Sequence, residues 1–147
     1  MLDLDGFVPY RLSVLSNRVS GAIARQYSQT FGLTIPEWRV MAVLGGTSGL
    51  SAGEVASRTA MDKVQVSRAV ASLKRRDRVA RAGDTRDGRV TRLSLTPKGR
   101  AIYDGIVPLA LQLEETFLSA LSIAERQSFD RLLTKLARQA KLLGAAR

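Results

Sequence analysis

The chain has 147 residues, is 45% hydrophobic and carries 23 Lys and Arg against 13 Asp and Glu, a formal net charge of +10. That is enough chain for one compact domain with a core, and the charge predicts an anionic partner such as DNA, ribosomal RNA or an anionic membrane surface. Cys and His are both absent, which excludes disulfides, thiolate metal sites and thiol redox sensing and removes the usual members of acid–base and metal sites, so no enzymatic activity, cofactor or metal is expected.

The N-terminus, MLDLDGFVPY, opens on acids rather than on a basic region, unlike a secretory signal. No stretch reaches the roughly 18 consecutive apolar residues of a membrane span. The reading is of a soluble, cytoplasmic protein with no membrane partner. Its excess charge is localised. Residues 58–100 carry 13 Lys or Arg against four Asp, a net +9, and the rest of the chain carries 10 against nine, a net +1. A solubilising surface would spread its charge, so the clustering favours a dedicated anion-binding face.

Pro9 suits the first turn of a helix. Leu12, Leu15, Val19, Ile23 and Tyr27 follow at spacings of three and four, one helical face reaching about Phe31, with Gly32 as its stop. Arg11, Arg18 and Arg25 form a stripe at seven-residue steps, and Ser13, Ser16, Asn17 and Ser20 a small polar face. Both stripes suit solvent as well as a ligand wall or helix contact. LTIPEWRVMAVL, residues 33–44, predicts a second helix from about Pro36, broken by Gly45, Gly46 and Gly49. Ser51-Ala-Gly-Glu54 has the form of a capping box and opens a short third helix from about Ala52 to Arg58.

Thr59-Ala60-Met61 is a tight connection, and Asp62 can cap a fourth helix with Gln65 at its third position. In that helix Val66, Val70 and Leu73 point inward, leaving Lys63, Gln65, Ser67, Arg68, Ser72, Lys74 and Arg75 largely on the other faces. Two short helices joined by so tight a turn match a helix-turn-helix, and equally a plain helical hairpin. Residues 79–82 and 90–95 have strand character, and between them Arg86 and Arg89 flank Asp87-Gly88, the predicted hairpin tip.

A hairpin directly after a helix-turn-helix is a wing, whose tip meets the flanking minor groove when the second helix lies in the major groove. Guanidinium suits that groove, where negative potential is focused. Asp84 or Asp87 can pair with a neighbouring Arg and fix its direction; for Asp87, ordinary turn chemistry is an equal reading. Thr96-Pro97 then opens a long helix with Ile102, Ile106, Leu109, Leu113, Phe117 and Leu121, interrupted by Pro108, where a kink is expected. Ser122-Ile-Ala-Glu125 is a further capping box before a final helix with Phe129, Leu132, Leu133, Leu136, Ala140 and Leu143. The expected fold is mainly α with a small β-hairpin wing.

Asp84-x-Arg86-Asp87-x-Arg89 followed by Leu93-x-Leu95-Thr96-x-x-Gly99-Arg100 resembles the wing signature of the MarR family of winged-helix regulators. The resemblance extends to LTIPEWRVMAVL, to the Asp62-Lys63 opening of the recognition helix and to the long terminal helices, nearly the whole chain. It implies one domain over 1–147, with a winged helix-turn-helix at about 33–100 and dimerisation helices at about 7–32 and 97–145. It also implies a homodimer, a pseudo-palindromic operator in double-stranded DNA, and a DNA-binding set of Lys63, Gln65, Ser67, Arg68 and Arg75 with Arg86, Asp87 and Arg89 in the wing. From chemistry alone Gln65 can pair with adenine and Arg68 with guanine, and Val64 suits either a thymine methyl or the core. Arg76-Asp77-Arg78-Val79 departs from the family, many of whose members have Gly before the strand.

Family members commonly release DNA when a phenolic or aromatic carboxylate enters a pocket between the dimer helices and the winged domain. PYRLSVLSNRVS with IPEWRVMAVL looks like the branch controlling catabolism of hydroxycinnamate-type acids, some of which sense the CoA thioester. A small-molecule effector, a phenolic acid or a hydroxycinnamoyl-CoA, is therefore expected. Arg11, Asn17, Ser20, Trp38 and Arg39 can supply the walls, hydrogen bonds and cation such a ligand needs, although Trp38 also suits the core. A ligand-independent regulator and an RNA-binding module are the alternatives. The second lacks the interleaved aromatics that stack unpaired bases, with none between residues 58 and 100.

Overall fold

The computed structural model describes residues 1–84 and 86–145. After a single 3-10 turn at Leu4–Gly6, the elements are α1 (Val8–Phe31), α2 (Ile35–Gly46), α3 (Ala52–Thr59), α4 (Lys63–Arg75), β1 (Val79–Gly83), β2 (Thr91–Leu95), α5 (Pro97–Leu118) and α6 (Ile123–Ala145). The architecture is mostly helical with one antiparallel hairpin, as expected. The chain divides into two units, Met1–Ala110 and the part from Leu111 onward.

In the first unit, α1 ends where Gly32 turns left-handed at φ 65° and its N–H reaches back to Ser28 O. A side chain is disfavoured at that φ, so glycine sets the stop. Helix α2 opens on a capping box between Thr34 and Glu37. It runs through Gly45 and Gly46 and ends at Thr47, which corrects the expectation that those glycines break it. At Gly45 the reason is packing: a Cβ there would strike the Tyr103 ring, so the absent side chain lets α5 approach. Ser51 and Glu54 form the predicted capping box of α3. Asp62 caps α4, accepting the Gln65 N–H at 2.7 Å.

Val40, Met41 and Leu44 of α2, Val55 of α3, Val66, Val70 and Leu73 of α4, Val79 and Leu93 of the hairpin and Ile106 of α5 form one buried cluster, joined by Tyr27 and Leu33. Strand β1 pairs with β2 from Val79↔Leu95 to Gly83↔Thr91. Leu50 adds a bridge to Leu93, with hydrogen bonds of 2.8 Å from Gly49 N to Leu93 O and from Leu93 N to Leu50 O. The wing is therefore stitched to the segment entering α3.

The hairpin loop spans Asp84–Val90 and is longer than a two-residue Asp-Gly turn; Gly88 has no positive φ. Two aspartate side chains shape it, Asp84 accepting the Arg86 N–H at 2.7 Å and Asp87 the Arg89 N–H at 3.1 Å. Asp77 takes the left-handed conformation at φ 58°, and its carbonyl accepts the Thr96 hydroxyl at 2.6 Å.

Helix α5 begins at the predicted Thr96-Pro97 pair, with Thr96 Oγ1 accepting the Gly99 N–H at 3.0 Å. It continues through Pro108 and ends at Leu118, short of Leu121. In the second unit, Ser122 and Glu125 close their capping box at 2.9 and 3.1 Å. Arg126 forks onto Glu115 at 2.9 and 3.0 Å and donates to Leu118 O, which holds the turn between the helices. Leu132, Leu133, Leu136 and Leu143 of α6 are exposed in the single chain. Among the described residues no single helix is long and apolar enough to cross a membrane.

Candidate nucleic-acid interface

Helix α4 sorts its residues by the 3.6-residue period. Val66, Ala69, Val70 and Leu73 are buried, so Lys63, Gln65, Ser67, Arg68, Lys74 and Arg75 are exposed. Ser72 is half-buried and donates to Glu37 Oε2 at 3.3 Å, which ties α4 to α2. Val64 is 59% exposed and lies on the Arg68 face opposite the core, which removes its core reading. The N-terminal turn of α4, capped by Asp62, thus presents Lys63, Val64, Gln65, Ser67 and Arg68 to solvent. A point charge, an amide, a hydroxyl, a guanidinium fork and an apolar methyl pair are the side-chain types that read major-groove base edges and phosphates.

On the wing, the Arg89 side chain is 92% exposed and its Nε lies 3.2 Å from Asp87 Oδ1. Asp87 therefore takes both the backbone and the side-chain N–H of Arg89. Those two hydrogen bonds hold the Asp87 carboxyl below its ordinary pKa, so it is ionised at neutral pH and directs Arg89 outward. Arg86 is exposed beside it.

Arg92, by contrast, faces inward along the wing. Its Nη2 lies 2.8 Å from Asp84 Oδ2 and its Nη1 2.8 Å from Glu54 Oε1. Its charge is matched by two carboxylates. The Arg86 N–H and the Arg92 guanidinium lower the Asp84 pKa, and Ser51 followed by Arg92 lowers that of Glu54.

The loop after α4 carries a feature that composition does not reveal. Arg76 Nη1 donates to Gly32 O at 2.7 Å and Arg78 Nη2 to Phe31 O at 2.9 Å. Two cations thus sit on the C-terminal carbonyls of α1, where the helix dipole favours them. Arg78 is only 7% exposed, and its Nε and Nη1 have no partner among the described residues. Burial pulls its guanidinium below the ordinary arginine pKa.

The expected ligand residues fall into separate surroundings. Trp38 is half-buried between Tyr27, at 5.7 Å between ring centroids, and Tyr103, at 6.1 Å, with the Arg100 guanidinium 5.2 Å over the Tyr103 ring. Arg39 is half-buried and acts electrostatically on Tyr27. Arg11 instead lines a shallow groove along the N-terminal half of α1 with Arg18, Leu12 and Leu15. Asn17 is exposed and Ser20 half-buried on the same helix. Tyr103 and Arg100 of α5, absent from the sequence-derived set, complete the aromatic stack. They join it by tertiary packing across more than 60 residues of chain, which no local pattern signals.

A capped two-helix unit, an exposed polar second helix and an arginine-tipped hairpin stitched to the helix entry define a winged helix-turn-helix. Residues 31–90 match the model of the MarR family. The repressor NicR of Pseudomonas putida is 30% identical over 115 residues, 78% of this chain and 73% of its own length. A MarR/EmrR family transcriptional regulator from Acinetobacter superposes with a TM-score of 0.88 at 26% identity, covering 96% of this chain and 99% of that one. BpsR of Bordetella bronchiseptica, whose DNA binding is regulated by 6-hydroxynicotinic acid, superposes with a TM-score of 0.81 at 29% identity, covering 93% and 97%. The chain belongs to the MarR family of transcriptional regulators, a family of DNA-binding proteins rather than enzymes.

Proposed function

We propose that this regulator is a homodimeric repressor of a pseudo-palindromic operator in double-stranded DNA, released when a small aromatic acid or its CoA thioester binds. The observation that carries the DNA half is the joint exposure of Lys63, Gln65, Ser67, Arg68 and Arg75 on one helix with Arg86 and Arg89 on the wing, inside the one window that holds nearly all the excess charge. In this reading Arg68 and Gln65 contact base edges, Lys63, Ser67 and Arg75 contact phosphates or neighbouring bases, and Arg86 and Arg89 enter the minor groove with Asp87 as their brace.

Residues 33–100 act as the reading domain, and residues 7–32 and 97–145 pair two protomers. The apolar residues that α1 and α6 expose, Leu12, Leu15, Leu132 and Leu136 among them, support such pairing.

The effector half is supported by BpsR, a structural neighbour regulated by a heteroaromatic carboxylic acid. It is also supported by the stack of Tyr27, Trp38 and Tyr103 beside Arg39 and Arg100, apolar walls with cations at hand for a carboxylate. The hydroxycinnamate branch is the finer form of this proposal. Release follows as a population shift: the ligand binds better to a dimer whose recognition helices are wrongly spaced for successive major grooves.

Operator binding titrated with hydroxycinnamates, their CoA thioesters and hydroxynicotinates tests it. One class is expected to weaken binding at least about tenfold while the protein remains dimeric, which corresponds to about 1.4 kcal/mol of coupling. Binding that none of them alters contradicts the effector half.

A further inference from the structure

Arg92 lies in the basic window but is spent internally. It joins three places that are far apart in the chain: Asp84 at the base of the wing loop, β2 on which it sits, and Glu54 in the first turn of α3. Glu54 Oε1 is shared. It accepts from Ser51 Oγ at 3.1 Å and from Arg92 Nη1 at 2.8 Å, while the Glu54 N–H donates to Ser51 Oγ at 3.2 Å. The cap that starts the helix-turn-helix is therefore also a fastening point of the wing.

We propose that Arg92 is a positioning residue for DNA recognition, a bracket that fixes the angle of the wing against α3 so that the tip arginines and the recognition helix meet the duplex together. Backbone stitching at Leu50↔Leu93 and the Ser48 Oγ to Ser94 Oγ contact of 3.1 Å hold the inner end of β2. One residue outward from Leu93 the pairing to the Leu50 segment stops among the described residues, and there the contact between the hairpin and α3 is made by side chains. Arg92 occupies that position with Nε and Nη2 on Asp84 Oδ2, at 3.2 and 2.8 Å, and Nη1 on Glu54. A planar fork that holds two carboxylates on different elements restrains orientation in a way that a single-point lysine does not. The ordering cost is then met before DNA arrives.

The inference rests on the wing touching DNA, and the sign of one substitution separates it from simple electrostatics. Glu54→Gln removes a negative charge from a protein that binds a polyanion, so charge alone predicts tighter operator binding. The bracket predicts weaker binding, by about threefold to fivefold, the scale of an exposed ion pair. Glutamine still serves a capping box, so the melting temperature is expected to hold and to report any failure of α3 itself.

Arg92→Lys is expected to weaken binding similarly and to leave the slope of log affinity against log salt unchanged. Arg89→Ala is expected to lower that slope by about one, as a lost phosphate-region contact does. Operator binding that is unchanged or tighter in Glu54→Gln overturns the bracket while Arg89→Ala still weakens binding, and a slope reduced by about one in Arg92→Lys overturns it by making Arg92 a direct contact. If Arg89→Ala has no effect on operator binding, the wing reading falls first and the bracket falls with it.

Discussion

A methyl group at position 99 would land on the Arg78 carbonyl oxygen, which also accepts the Thr96 N–H at 3.1 Å and so has no room to withdraw. Gly99→Ala is therefore expected to cost about 3 kcal/mol or more, the upper range for forcing volume into a close-packed site, as read from the urea midpoint. Gly45→Ala provides the contrast, because its obstacle is the Tyr103 ring, a side chain that can turn at the expense of the Trp38 stack. In the sequence Gly99 is visible only as part of a family signature; its physical reason, the start of α5 crossing the start of β1, requires the tertiary structure. Arg78 is a stronger case of the same limit. An arginine before a strand reads as surface charge, and only the fold reveals that its guanidinium is buried against the end of α1. Thr34 and Glu37 are different, since their spacing is that of a capping box and could have been read directly.

At the scale of elements, the helices were legible where capping chemistry and apolar period agreed. Ser51, Asp62, Thr96 and Ser122 each cap the helix they were expected to cap. Helix α2 runs two residues beyond Leu44 to end at Gly46, because Gly45 serves as a packing notch for Tyr103. The wing was legible as a hairpin, but not the Leu50 bridge, since a single paired residue has no sequence period.

The turn of the helix-turn-helix carries strain that a substitution can relieve. Ala60 ends α3 in the left-handed conformation at φ 55°, which costs a residue with a Cβ roughly 1–2 kcal/mol. Ala60→Gly is expected to raise stability by about 0.5–1 kcal/mol, after the larger chain entropy glycine loses on folding. Denaturant unfolding checks it, and a loss of stability would mean that this conformation is not the one the turn holds in solution.

At the scale of the whole molecule, charge and apolar surface are segregated. The window of net +9 contains α4 and the wing, whereas exposed leucines concentrate on α1 and α6. This division along the chain supports the proposed reading, in which the basic window serves a polyanion and the leucine-bearing helices serve a second copy. The sequence made the charge half plain because cations can be counted. It left the expected ligand residues scattered because tertiary packing, not local pattern, decides which side chains meet: Trp38 stacks with Tyr27 and Tyr103, while Arg11 lies on a groove of α1.

The central claim is that α4 reads sequence rather than charge alone. The most direct measurement is the affinity of the protein and of Arg68→Ala for duplex DNA flanking its own gene and for an unrelated duplex, at fixed salt. The account predicts that the native protein prefers the flanking DNA by at least about a thousandfold, and that Arg68→Ala loses about 1–3 kcal/mol on that fragment with a much smaller loss on the unrelated duplex. Equal affinity of the native protein for both duplexes, or equal losses on both in Arg68→Ala, would contradict it.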